Sequence, residues 1–247
     1  MIISKSNVSP IATITATPDS SLQEVKVLTD GDYSSIFTDT LNSQVVFTFE
    51  FASTQKIDYI AIGGSNVSTK DRITIASDGV TFVDDTLGLN KARVIMYRPK
   101  IQSTSKIEIT VFGNGGISVA EISMGEEYEV PMGEQGGYSR PWTVPNIKTR
   151  SAIGLDSSPI SLTYESRASR SQLVIPNNIM KNFNEFKEML YYICSNTFYI
   201  LEDDDKFHSY ACFNADVKET TANNQTRALG RTVLSYSTYS EASETFL

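Results

Sequence analysis

Histidine, tryptophan and cysteine are scarce in this chain. Its 247 residues hold one histidine, one tryptophan and two cysteines. One imidazole and two thiols leave no His/Cys metal cluster to build, and Cys194 and Cys212 show no ligand spacing. Both read as free thiols packed as small hydrophobes, with a disulfide between them allowed but not demanded. Positive charge is also short: 21 Lys and Arg stand against 29 Asp and Glu, a formal net charge of −8. A nucleic-acid-binding face needs clustered basic residues, so that class of partner is excluded. No apolar run is long enough to cross a bilayer. The first residues, MIISKSNVSPIATIT, alternate apolar and polar and lack the basic start and continuous apolar stretch of a signal peptide.

Catalytic signatures are missing as well. There is no Gly-x-Ser-x-Gly elbow and no P-loop. The lone His208 lies beside an acidic hairpin of Glu202, Asp203, Asp204 and Asp205. Adjacent acids at a hairpin tip read as a solvated turn, because glycoside cleavage needs carboxylates on opposed walls of a cleft. A non-enzymatic protein is the expectation.

What the sequence does have is short strands. In VVFTFEF, Val45, Phe47, Phe49 and Phe51 fall on one face and Val46, Thr48 and Glu50 on the other, the period of a half-buried strand. Further strands are expected at residues 11–17, 22–28, 56–62, 72–76, 80–83, 91–97, 106–112 and 119–124. Gly, Asn and Asp punctuate them, including Asp-Gly turns at Gly31 and Gly79. This spacing with no helical period gives an all-β sandwich over residues 1–126. Residues 127–150 are rich in glycine and proline and read as an extended arm carrying Trp142, which needs a surface to pack on.

Residues 151–247 read as a small α+β unit, a β-barrel or sheet with one helix. Strands are expected at 160–165, 172–175, 198–201, 207–214 and 232–238, with Arg167 and Arg170 in a polar turn. Ile179, Phe183, Phe186, Leu190 and Ile193 mark one face of an amphipathic helix. Asn182 with Glu185 three later forms a capping pair, although Asn178 is an alternative start, and Asn196 is the stop.

Four segments of the first half resemble the galactose-binding-like (discoidin, coagulation-factor type C) β-sandwich. LTDGDYSSIFT is similar to that family's Asp-Gly-Asp run, with Phe37 where Trp is usual. FTFEF with KIDYIAIGGSN, then ITIASDGVTFVDD with Phe82 for Trp, then KIEITVF with ISVAEISMG follow in the family's order. The resemblance implies ligand binding through loops at one end of the sandwich, to glycans, lipids or proteins. It also implies a structural calcium near Asp30, Asp32 and Ser35, closed by Glu121 and the Ala120 carbonyl. Carboxylate and carbonyl oxygens suit that ion. For a glycan, Tyr33 is the candidate for stacking, with Asn66, Arg72 and Arg93 around the hydroxyls.

The order of elements in the second half is similar to the ring-forming domain of distal tail proteins in long-tailed bacteriophages. That resemblance implies a virion structural protein of the tail end, assembled in the host cytoplasm as a homo-oligomeric ring. It would contact other tail proteins and possess a sandwich able to meet host-surface glycan. Trp142, Arg167 and Arg170 are then the interface candidates. The alternative is a carbohydrate-binding module of a surface or secreted protein.

Overall fold

The computed structural model describes residues 1–18, 25–33, 35–64, 66–67, 70–87, 94–113, 116–130, 146–153, 159–166, 168–176, 182–202, 205–220 and 231–239. In chain order the strands begin with β1 (Ile2–Ser4), β2 (Thr13–Thr17), β3 (Phe37–Asp39), β4 (Gln44–Ile57), β5 (Tyr59–Gly63) and β6 (Arg72–Ser77). They continue with β7 (Val80–Thr86), β8 (Val94–Tyr97), β9 (Ile101–Phe112), β10 (Ile117–Val119), β11 (Glu121–Gly125) and β12 (Glu127–Glu129). The second half holds β13 (Asn146–Ile153), β14 (Pro159–Ser166), β15 (Ala168–Pro176), helix α1 (Phe183–Ser195), β16 (Phe198–Leu201), β17 (Ser209–Thr220) and β18 (Arg231–Tyr239). Among the described residues the architecture is mainly β, with α1 as the helix of the second half.

A five-stranded sheet, β2-β4-β9-β6-β7, faces a three-stranded sheet, β11-β5-β8, with the pair β10-β3 beside them. The alternation in β4 and β9 is what makes this face. Phe47 lies opposite Ile109 and Phe49 opposite Ile107 in antiparallel register. All four are fully buried, with Ile60 and Ile62 of β5 and Ile122 of β11 in the same core. Phe37 is buried there too, edge-on to Phe47 with ring centroids 5.1 Å apart. Phe82, at the second position where the resemblance puts Trp, is exposed on the edge strand β7.

The three-stranded sheet is covered on both faces. Tyr59 and Ala61 point away from the sandwich core, against Tyr199 and Leu201 of β16, Ala211 of β17 and Ile2 of β1. This is why YIAIG in β5 and FYIL in β16 are apolar throughout and do not alternate, as for any strand buried on two sides. The sheet β12-β1-β16-β17-β18-β15 forms the next layer. Its far face takes Phe186, Met189 and Ile193 of α1 against Phe198, Ile200, Leu234 and Tyr236. Ile2, Val94, Met96 and Leu201 between the two units are worth roughly 6–12 kcal/mol gross, at about 1.5–3 each. The part-exposed pairs of Lys5 with Glu126 and Glu185 there add about 1 kcal/mol each at most. Apolar burial, not charge, fixes the junction.

Four sequence expectations are corrected. Residues 22–28 do not form a strand where they are described: Val27–Thr29 is a 3-10 turn that leads into the Asp-Gly-Asp loop. Ile2–Ser4 belongs to the sheet of the second half, paired with Glu127–Glu129 and with β16. The start of the expected arm is therefore a strand, because the apolar β1 needs partners on both sides. Arg170 stands in β15 opposite Ser237, not in a turn. Cys194 is exposed on α1 while Cys212 is buried, and both are free. The helix is capped as expected: the Asn182 side chain accepts the Glu185 backbone N–H at 3.3 Å.

Candidate functional site

The Asp-Gly-Asp loop and β11 meet in space. The Gly31 N–H donates to Glu121 Oε2 at 3.1 Å, joining residues ninety positions apart. Gly31 holds φ +76°, which the glycine permits. Asp30 Oδ1 accepts the Asp32 N–H at 2.7 Å, an Asx turn that shapes the loop. Glu121 is 2% exposed. Burial, reinforced by the charge of Asp30 and opposed by the Gly31 amide, pushes its pKa up to about 8. A cavity of about 200 Å³ adjoins it, walled by Asp30, Gly31, Asn7, Tyr192 and Tyr199.

Of the five residues expected at a calcium, Asp30 and Glu121 share this cavity. Asp32 and Ser35 form the turn beyond, where the Ser35 N–H donates to the Asp32 carbonyl at 3.1 Å. The Ala120 N–H is bonded to the Gly63 carbonyl at 3.2 Å, next to Glu121. The donors are oxygen only, which fits a hard cation in kind. In number they are few: among the described residues no three His, Cys, Asp or Glu side chains converge.

Of the residues expected around a glycan, Tyr33, Asn66 and Arg72 are described, and each has partners within the fold. The Tyr33 hydroxyl donates to the Tyr199 hydroxyl at 2.6 Å, and its ring lies over Gly63 and Gly64. A Cβ at Gly63 would stand 2.5 Å from the Tyr33 hydroxyl, so the ring is seated against backbone at the junction of the two units. Asn66 braces β10, accepting the Ser118 N–H at 2.9 Å and donating to the Gly116 carbonyl at 3.3 Å. Arg72 forms a two-point pair with Asp84 across β6 and β7, both contacts at 2.6 Å, and stacks over the Phe112 ring. Arg93, Trp142 and Arg167 lie outside the described residues, as does the side chain of Arg170.

A larger cleft, about 560 Å³, opens where β7 and β8 meet the turn between β16 and β17. Asp85 is part of its lining. Asp85 Oδ2 accepts the Tyr97 hydroxyl at 2.9 Å and also pairs with the Lys206 ammonium. Lys206 stands 4.9 Å from the centroid of Phe207 and 6.0 Å from that of Tyr97. Its turn is tied down: the Lys206 carbonyl accepts the Met96 N–H at 3.2 Å and the Ser209 hydroxyl at 2.6 Å. Burial and the Asp85 carboxylate push the Tyr97 phenol far up, so it stays a donor. Arg98 on the rim is held by Glu127 in a bidentate pair at 2.6 and 3.1 Å. Sequence reading missed these residues because they come from four elements, and only Phe207, an aromatic just past the acidic turn, carried a local signal. Of the four acids there, Glu202 lies in that turn and Asp205 caps the Phe207 N–H at 3.0 Å. His208 lies 4.0 Å from Asp205, both about half exposed.

No family model matches the sequence, and no curated protein does. Solved structures do overlay half of it. The family 32 carbohydrate-binding module from Streptococcus pneumoniae EndoD is 16% identical, covering 49% of this chain and 99% of its own, with a TM-score of 0.41. A Streptococcus pneumoniae fucose binding module, SpX-3, is 15% identical over 50% of this chain and 99% of its own, TM-score 0.40. Chitosan-binding module 1 of a Paenibacillus sp. IK-5 chitosanase/glucanase is 12% identical over 49% and 99%, TM-score 0.41. Each of the three is named as a binding module. The expectation of a bacteriophage distal-tail protein, located in the virion and closing a ring with other tail proteins, is corrected on that finding. The similarity of the second half to a ring-forming domain rested on the order of common elements, which many α+β units share. No helix among the described residues is long and apolar enough to cross a membrane.

Proposed function

We propose that this protein is a glycan-binding module, built on a galactose-binding-like sandwich with a second β-rich unit packed against it. The observation that carries this is the contact of Gly31 with Glu121 at 3.1 Å. It joins the first and last of the four sequence segments that resemble the galactose-binding-like pattern. The intervening segments form β4, β5, β6 and β7 of the same sandwich, and the last also supplies β9. Segments that resemble a family's sequence in order, and also close on one another in space, support the finer identity beyond a generic β-sandwich. Binding without chemistry also suits a surface whose acids form turns and ion pairs.

The test is a glycan array probed with the full-length protein, followed by calorimetric titration of any sugar retained. Saturable binding to a defined glycan class is the expected result. Absence of binding to every arrayed glycan, by protein shown to be folded, overturns the proposal.

A further inference from the structure

We infer that the cleft between β8 and the β16–β17 turn is a saccharide site for a neutral pyranose, which gives a hydroxyl to Asp85 and a C–H face to Phe207. This rests on the glycan-binding reading above and assigns it a place and a ligand class. The cleft's volume, about 560 Å³, lies in the range of small-molecule sites. Its polar group is oriented in advance. Tyr97 and Lys206 both hold Asp85 through Oδ2, and Oδ1 meets no hydrogen-bond donor among the described residues. That leaves one aimed acceptor. A hydroxyl donor placed there makes a charge-assisted hydrogen bond without reorganising the carboxylate.

The rest of the lining is mixed: Asp205, Lys206 and Arg98 are charged, and the other side chains are apolar or aromatic. Met96 and Leu201 are buried beneath the cleft, and the part-exposed Phe207 ring forms a wall. Each flanking cation already has a carboxylate: Lys206 pairs with Asp85, and Arg98 with Glu127. An anionic ligand would have to displace one of those carboxylates, whereas a neutral ring of hydroxyls and C–H bonds displaces neither. The two units share the site, since Asp85 and Tyr97 come from the sandwich and Lys206 and Phe207 from the second half. The sandwich alone would lack half of it.

The experiment uses the full-length protein and four probes: methyl galactoside, methyl glucoside, N-acetylglucosamine and, as the charged control, galacturonate. Calorimetry is expected to show binding of at least one neutral probe. Asp85→Asn and Phe207→Ala should each raise its Kd about tenfold or more, about 1.4 kcal/mol. Because either variant can disturb the junction, the unaltered protein is also followed by methyl NMR, with the Met96 signal assigned by Met96→Leu. That methyl signal should shift on addition of the neutral sugar. A static Met96 signal, with wild-type Kd in both variants, overturns the cleft as the site but leaves glycan binding by the protein intact. Preference for galacturonate overturns the ligand class. Failure of every probe here, together with failure on the array, overturns the inference and the reading beneath it.

Discussion

Raising the pH should weaken this fold through one buried carboxyl, that of Glu121. Its pKa in the folded protein is about 8, against an ordinary value of 4.5. The folded state thus holds the proton more tightly than the unfolded chain. Below about pH 4.5 both states carry it, and the group adds no slope. Between about 4.5 and 8 the unfolded chain has released its proton while the folded protein keeps it, so stability falls as pH rises. Each pH unit in that window removes up to about 1.4 kcal/mol. Above about 8 both states are ionised and the loss is complete, on the order of 4–5 kcal/mol. That is a large share of a typical folding free energy of about 5–15 kcal/mol. The assay is urea unfolding in chelator at steps from about pH 5 to 9, on the wild type and Glu121→Gln. Glutamine keeps an acceptor for the Gly31 N–H but cannot ionise. The variant should match the wild type near pH 5 and exceed it by several kcal/mol near pH 9. Parallel profiles with a constant offset would refute the reasoning. The same two proteins test calcium, because a cation at Glu121 favours the ionised form. If it binds there, added calcium raises the wild-type midpoint near pH 8 and leaves Glu121→Gln unmoved; if it does not, neither midpoint moves.

Two further outcomes follow from groups near the junction. Arg98→Ala removes the bidentate partner of Glu127, which is 7% exposed and retains Lys100 among the described residues. Urea unfolding should show a loss of about 3 kcal/mol, the low end for stripping a buried pair, and a loss under about 1 would mean the pair is not structural. Asn182→Ala removes the side-chain cap of α1 and should cost about 1 kcal/mol in the same assay, with no change if water replaces the cap at no cost.

Where a strand buries one face, the sequence made it legible. Val45, Phe47, Phe49 and Phe51 alternate because the core lies on one side, and Ile107, Ile109 and Val111 answer them. The helix was legible for the same reason, through Phe186 and Ile193 and the Asn182 cap. Residues 22–28 misled because Val25 and Val27 alternate like a strand, yet the tight turn into Asp30 and Gly31 imposes 3-10 geometry. β1 was illegible because three residues, IIS, carry no period, and their partners lie far along the chain. The candidate site was legible only in part. Turn chemistry marked Asp30, Gly31 and Asp32, and the family pattern marked Glu121. Nothing local marked Asp85 or Tyr97, whose roles depend on Lys206 arriving from the other unit. Arg72 had the chemistry of a sugar-binding residue, but Asp84 across the strand pair already satisfies it.

The position of β1 also sets an order of events during synthesis. Ile3 is fully buried, yet its neighbours in the sheet are Tyr128 and Ile200. Within the chain, Ile2–Ser4 is made well before either of its partners. The sandwich strands can pair while Ile2–Ser4 waits, because closing so long a loop costs only logarithmically more than closing a short one. The waiting segment is then free to be captured by any open strand edge, including that of a neighbouring nascent chain. An expression tag fused to Met1 would sit at the mouth of that unfinished sheet, where the Met1 carbonyl accepts the Val130 N–H at 3.0 Å.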